Sequence, residues 1–133
     1  MKRILGEVSN EVVEKWQLYE YKNKKIVMYP EAKEHSKDRH INDYKSVDDY
    51  YYVMDSLEEI INNPDYVFYD KSKAVLEYYK NIRGNILVAI RVVPGKELKV
   101  RSVYPVEQEK INNRRKKEMD MKMYNKYVIA VET

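Results

Sequence analysis

The chain has 133 residues, 44% hydrophobic and 35% charged, and its 25 Lys and Arg against 22 Asp and Glu leave a net charge of +3. That length buries one core and is short for two ordinary domains, so residues 1–133 are read as a single domain. The absence of cysteine excludes disulfides, thiolate catalysis and Cys-based zinc or iron–sulfur sites. No apolar run approaches the roughly 20 residues that span a bilayer, and the chain turns polar by Gly6, too early for a signal peptide. A cytoplasmic location, in the producing or a target cell, is therefore expected. The 14 tyrosines against one Phe and one Trp stand out, because a ring with a polar tip suits partly wet surfaces.

In chain order, residues 2–8 predict a strand, and Ser9 ahead of Val12 and Val13 predicts an N-cap opening a short helix to Trp16. Residues 25–28 form a short strand ended by Tyr29 and Pro30, and residues 31–40 read as a polar helix carrying both histidines, His35 and His40. The clearest helix follows. Ser46 caps it, Asp48 and Asp49 suit its positive end, and Tyr50, Val53, Leu57 and Ile60 recur at helical spacing until Asn63 and Pro64. The period then changes: residues 66–69, 74–80, 86–93 and 97–104 are β-rich and joined by short connections, the pattern of an antiparallel meander. Pro105 opens a basic helix through Ile111 to about Lys117, and residues 127–131 read as a last strand or ordered tail. The expected fold is α+β, with helices on one face of the sheet.

Histidine is the side chain that titrates near neutral pH. Metal-free RNA cleavage uses such groups: a base takes the ribose 2'-OH proton, an acid protonates the leaving 5'-oxygen, and a cation holds the developing charge. A five-residue spacing sets His35 and His40 about 140° apart on a helix, so they do not share one site. Both also read as solvated surface residues. Neither a third ligand nor an i, i+4 pair points to zinc, and no metal or cofactor is expected. Strand 97–104 alternates, with Leu98, Val100, Ser102 and Tyr104 on one face and Lys99, Arg101 and Val103 on the other. A core face whose polar end reaches the sheet edge reads equally well. Lys110, Arg114, Arg115, Lys116 and Lys117, with Lys122 and Lys126 beyond them, form a basic cluster suited to phosphates or to a solvated helix face.

From about Lys2 to Lys117 the chain resembles the third phage-associated class of barnase/EndoU/colicin/RelE-like nucleases, found within polyvalent phage proteins. The resemblance is carried by Ile4-Leu5-Gly6-Glu7-Val8, the His35 to His40 segment, Leu57-Glu58-Glu59-Ile60-Ile61-Asn62-Asn63-Pro64-Asp65-Tyr66, Glu77-Tyr78-Tyr79-Lys80, Ile86-Leu87-Val88-Ala89-Ile90-Arg91 and Val100-Arg101-Ser102-Val103-Tyr104 ahead of a basic helix. It implies N-terminal helices packed on a four-stranded antiparallel sheet, with residues 118–133 as a variant extension. It also implies a metal-independent endoribonuclease, a phage or mobile-element effector, whose site draws on His40, His35, Lys80, Arg101, Ser102 and Tyr104. RNA is the expected substrate and a cognate immunity protein or antitoxin a candidate partner. A catalytically inactive RNA- or protein-binding module on the same fold is the alternative.

Overall fold

The computed structural model describes residues 1–119. The expected strand at 127–131 and the cations Lys122 and Lys126 lie outside the described residues.

Among the described residues one sheet contains six strands: β1 (Arg3–Glu7), β2 (Lys25–Met28), β3 (Tyr66–Asp70), β4 (Val75–Asn81), β5 (Asn85–Arg91) and β6 (Glu97–Pro105). Their spatial order is β1-β2-β6-β5-β4-β3, antiparallel throughout except where β2 runs parallel to β6. The expected four strands are β3 to β6. The sheet gains two more because Lys25, Ile26 and Val27 pair with Glu97, Leu98 and Lys99, a long-range contact that local periodicity does not encode.

The helices are α1 (Asn10–Trp16), α2 (Pro30–His40), α3 (Val47–Asp55), α4 (Leu57–Asn62) and α5, residues 108–119. Two serines cap as expected: Ser9 Oγ accepts from the Val12 amide at 3.2 Å, and Ser46 Oγ from that of Asp49 at 3.1 Å. The single helix expected after Ser46 is instead two. Ser56 donates its hydroxyl to the Tyr52 carbonyl at 2.8 Å and adopts φ −103°, a back-bond of the kind that bends helices. The apolar stripe survives the break, since Val53, Leu57 and Ile60 are all 0% exposed. Each such side chain contributes about 1.5–3 kcal/mol by leaving water.

Helices cover both sheet faces rather than the expected one. On the first, Val12, Val53, Leu57 and Ile60 pack over Ile26, Leu76, Val88 and Leu98; on the second, Ile111 of α5 closes over Phe68, Tyr79 and Leu87. Tyrosine serves both layers. Tyr21, Tyr44, Tyr50, Tyr78 and Tyr79 are buried, whereas Tyr19, Tyr51 and Tyr52 are exposed and Tyr29, Tyr66, Tyr69 and Tyr104 half-buried, so a core set joins the expected partly wet one. The hydroxyls of Tyr50 and Tyr78 find no hydrogen-bond partner among the described residues, and burial pushes the ionisation of Tyr78 well above the usual phenol range.

Two local features of β6 place the candidate site. Ala89 pairs with Ser102 and Ile90 with Val100, so Arg101 is an unpaired bulge residue. The alternation inverts there: Leu98, Val100 and Val103 join the first core whereas Tyr104 joins the second, contrary to the single face expected for Leu98, Val100, Ser102 and Tyr104. Second, β2 stops at Met28 before Pro30, leaving the edge of β6 beyond Lys99 to α2. The Val103 amide donates to Ser36 Oγ at 3.1 Å, and Tyr44 donates to the Val103 carbonyl at 3.5 Å, so an edge strand is covered. No helix among the described residues is long and apolar enough to cross a membrane.

Candidate active site

Because α2 is pinned to β6 through Ser36, its last residue arrives beside the residue that the bulge has turned. The His40 ring stacks on Tyr104, with centroids 4.7 Å apart and planes 23° apart. The chain turns at His40 into a 3-10 segment, Ile41–Asp43, which brings Asp43 Oδ2 to 2.8 Å from His40 Nδ1. A carboxylate at Nδ1 fixes the tautomer that carries its proton there and leaves Nε2 as the acceptor. Nε2 has no hydrogen-bond partner among the described residues, and the side chain keeps 22% of its surface exposed. On the α5 side, Lys110 Nζ is 3.5 Å from the Tyr104 hydroxyl and 5.5 Å from its ring centre. A groove of about 570 Å³ opens there, lined by Tyr104, Val106, Lys110, Asn113, Arg114 and Lys117 together with the carboxylates Glu107 and Glu109. The arrangement joins a proton carrier, a phenol and an ammonium at one end of the sheet.

The other expected site residues divide around this centre. Ser102 is half-buried on the face of β6 that carries Tyr104, and Arg101 is exposed at the bulge. His35 is exposed on α2, one turn and more from His40. Lys80 sits on β4 with its ammonium donating to the Asn63 carbonyl at 2.6 Å and 3.7 Å from Asp65, so it is engaged away from the histidine.

The basic cluster is not one surface. Lys110 and Lys117 line the groove, Arg115 lies 5.0 Å from the Tyr66 ring centre, and Lys116 is exposed. Arg114, expected to meet phosphate, also borders the groove, but its guanidinium is committed to carboxylates on the sheet. Its Nε is 2.8 Å from Glu77 Oε1, its Nη2 donates to Oε2 at 3.1 Å, and Asp70 stands 3.7 Å away. Glu77 is only 6% exposed and accepts also from the Tyr79 hydroxyl at 3.0 Å. Burial pushes Tyr79 well above the usual phenol range, whereas the Ser72 hydroxyl, with the Lys73 amide and Arg114, holds Asp70 below the usual carboxylate range. Helical spacing explains the placement, since Arg114 follows Ile111 by three and shares its sheet-facing stripe.

Sequence reasoning missed Asp43 and Glu77. Asp43 carried a usable signal, three residues beyond a histidine at a helix end. Glu77 carried none, because its partner is 37 residues away. No group of three His, Asp or Glu side chains among the described residues is placed to hold a metal ion. No curated protein and no solved structure matches the chain. The model of one family does match, over residues 3–113, from the first residue of β1 into α5 and with His40, Asp43, Tyr104 and Lys110 inside it; the chain therefore belongs to the phage-Barnase-EndoU-ColicinE5/D-RelE like nuclease3 family.

Proposed function

We infer that the chain is an endoribonuclease working without a metal ion through His40. The observation that carries the reading is the His40–Tyr104 stack, with Asp43 on the far ring nitrogen and Lys110 against the phenol. In this reading the His40 Nε2 lone pair takes the ribose 2'-OH proton, and the 2'-oxygen attacks the adjacent phosphorus. The phosphorus–5'-oxygen bond breaks, and the Tyr104 hydroxyl gives its proton to the leaving oxygen. The products are a 2',3'-cyclic phosphate and a 5'-hydroxyl. Lys110, and Lys117 along the groove, offset the charge that develops on phosphate. Asp43 holds the imidazole in register through Nδ1. The family is a nuclease family, and the stack supplies acid–base groups for the RNA-specific route, which needs the 2'-OH.

The test is cleavage of a mixed RNA pool in excess EDTA, with end-group analysis. Wild type releases cyclic phosphate ends, DNA of the same sequences stays intact, and folded His40→Ala loses about 10² to 10⁴ in rate. His35→Ala retains activity. Undiminished cleavage by His40→Ala removes the histidine from the mechanism, and a wild type that binds RNA without cutting it makes the chain a binding module.

A further inference from the structure

The sheet row that carries Tyr104 continues to a second pocket. Tyr104 pairs with Leu87, Leu87 with Tyr79, and Tyr79 with Tyr66, so the four side chains stand on one face in line across β6, β5, β4 and β3. Three strand spacings put the ends of the row about 14 Å apart. The middle is roofed by Ile111 of α5. At the far end a pocket of about 390 Å³ opens, lined by Tyr66, Asp65, Lys80, Asn81, Asn85 and Gln108.

We propose that this pocket is a nucleobase subsite for single-stranded RNA, receiving the base of another nucleotide of the strand cut at His40. The assignment deepens the ribonuclease reading and rests on it. Its wall is aromatic and fixed: the Tyr66 ring stacks on Phe68 with centroids 6.0 Å apart, and the Arg115 guanidinium lies 5.0 Å from its centre. Single-stranded RNA is held by such rings and by guanidinium groups, with its unpaired base edges open to hydrogen bonding. The rest of the lining matches a base edge. Amides donate and accept, and the pocket has three. Asn85 donates to Gln108 at 3.0 Å and Gln108 to Asn112 at 3.1 Å, which orients both. The Asn81 side chain is exposed and without a hydrogen-bond partner among the described residues. Asp65 accepts from the Asn81 backbone N–H at 2.9 Å and stands 3.7 Å from Lys80 Nζ, so the lining also carries a paired carboxylate and ammonium. The span of about 14 Å from Tyr104 sets this pocket apart from the cut, and the base read here belongs to another nucleotide of the same strand.

The experiment measures binding and cutting separately. Fluorescence anisotropy on His40→Ala protein with labelled hexanucleotides, one homopolymer for each base and an abasic control, gives affinity without turnover. Cleavage of the same oligomers by proteins that retain His40 gives kcat and KM. Tyr66→Ala is expected to weaken binding about tenfold, as loss of a stacked base does, and to erase the difference between a base-bearing and an abasic oligomer. It raises KM and leaves kcat near that of wild type. Asn81→Ala, at an exposed strand end with no contact to lose, guards against a folding defect and is expected to change which base is preferred. Unchanged affinity and base preference in both variants overturns the subsite while leaving cleavage through His40 standing. Tyr66-dependent binding with no cleavage by wild type retains the subsite and overturns the nuclease reading.

Discussion

Replacing Arg114 with Ala is expected to destabilise the fold by about 3 to 5 kcal/mol, the cost of leaving a buried charge unpaired. The size follows from what remains. Glu77 is 6% exposed and would keep only the Tyr79 hydroxyl as a donor, and Asp70, 15% exposed at its side chain, would face it with no guanidinium between them. Against a usual net stability of about 5–15 kcal/mol, such a loss is decisive. Urea denaturation of Arg114→Ala and Arg115→Ala measures it. Arg115 is an adjacent cation whose described contact is the Tyr66 ring, and its removal is expected to cost under about 1 kcal/mol. Adding Glu77→Gln to Arg114→Ala should recover part of the loss, since a neutral amide no longer needs the cation. Equal, small losses for the two arginine variants would refute the buried pair and return Arg114 to the surface as a phosphate contact.

Removing the buried, unpartnered hydroxyl with Tyr78→Phe is expected to be neutral or to stabilise by about 1 kcal/mol, because no hydrogen bond is lost and a desolvated polar atom disappears; a loss above that range in thermal melts would reveal a partner for it. Asp70 predicts an acid limb. Its carboxyl is held below the ordinary aspartate value of about 3.9, chiefly by the Ser72 hydroxyl, so its contribution is complete above that ordinary value and is lost as pH falls through the lowered one. Ser72→Ala should therefore reduce stability at neutral pH and narrow its difference from wild type in melts taken below about pH 3.9; a difference that stays constant with pH would detach Asp70 from the effect.

The parts of the fold that local chemistry dictates were legible. Ser9 and Ser46 cap where oxygen-bearing side chains precede apolar spacing, and β3 to β6 lie between turn residues. What escaped was long-range. The parallel pairing of β2 with β6 joins segments far apart in sequence, and nothing in Lys25-Ile26-Val27-Met28 specifies which strand it will meet. The packing of α5 on the second face was hidden for a related reason. A basic helix with one buried apolar residue, Ile111, reads as solvated, because its second inward group is a charged one matched by Glu77 on another element.

The candidate site depends on one such hidden feature. A strand read by alternation alone puts Tyr104 with Leu98 and Val100, in the main core and away from α5. The extra residue at Arg101 costs β6 one ladder partner and moves Tyr104 to the other face, the use that bulges commonly serve near functional sites. His40 was the better legible half, since a helix-closing residue has room to turn and Asp43 stands one helical step beyond it. Neither half makes a site by itself. Without the bulge, His40 would close α2 with no ring to stack on; without Ser36 tying α2 to Val103, the bulged Tyr104 would face Lys110 with no proton carrier beside it. The two features converge on one side-chain pair, and the groove, the Lys110 contact and the row to Tyr66 all extend from it.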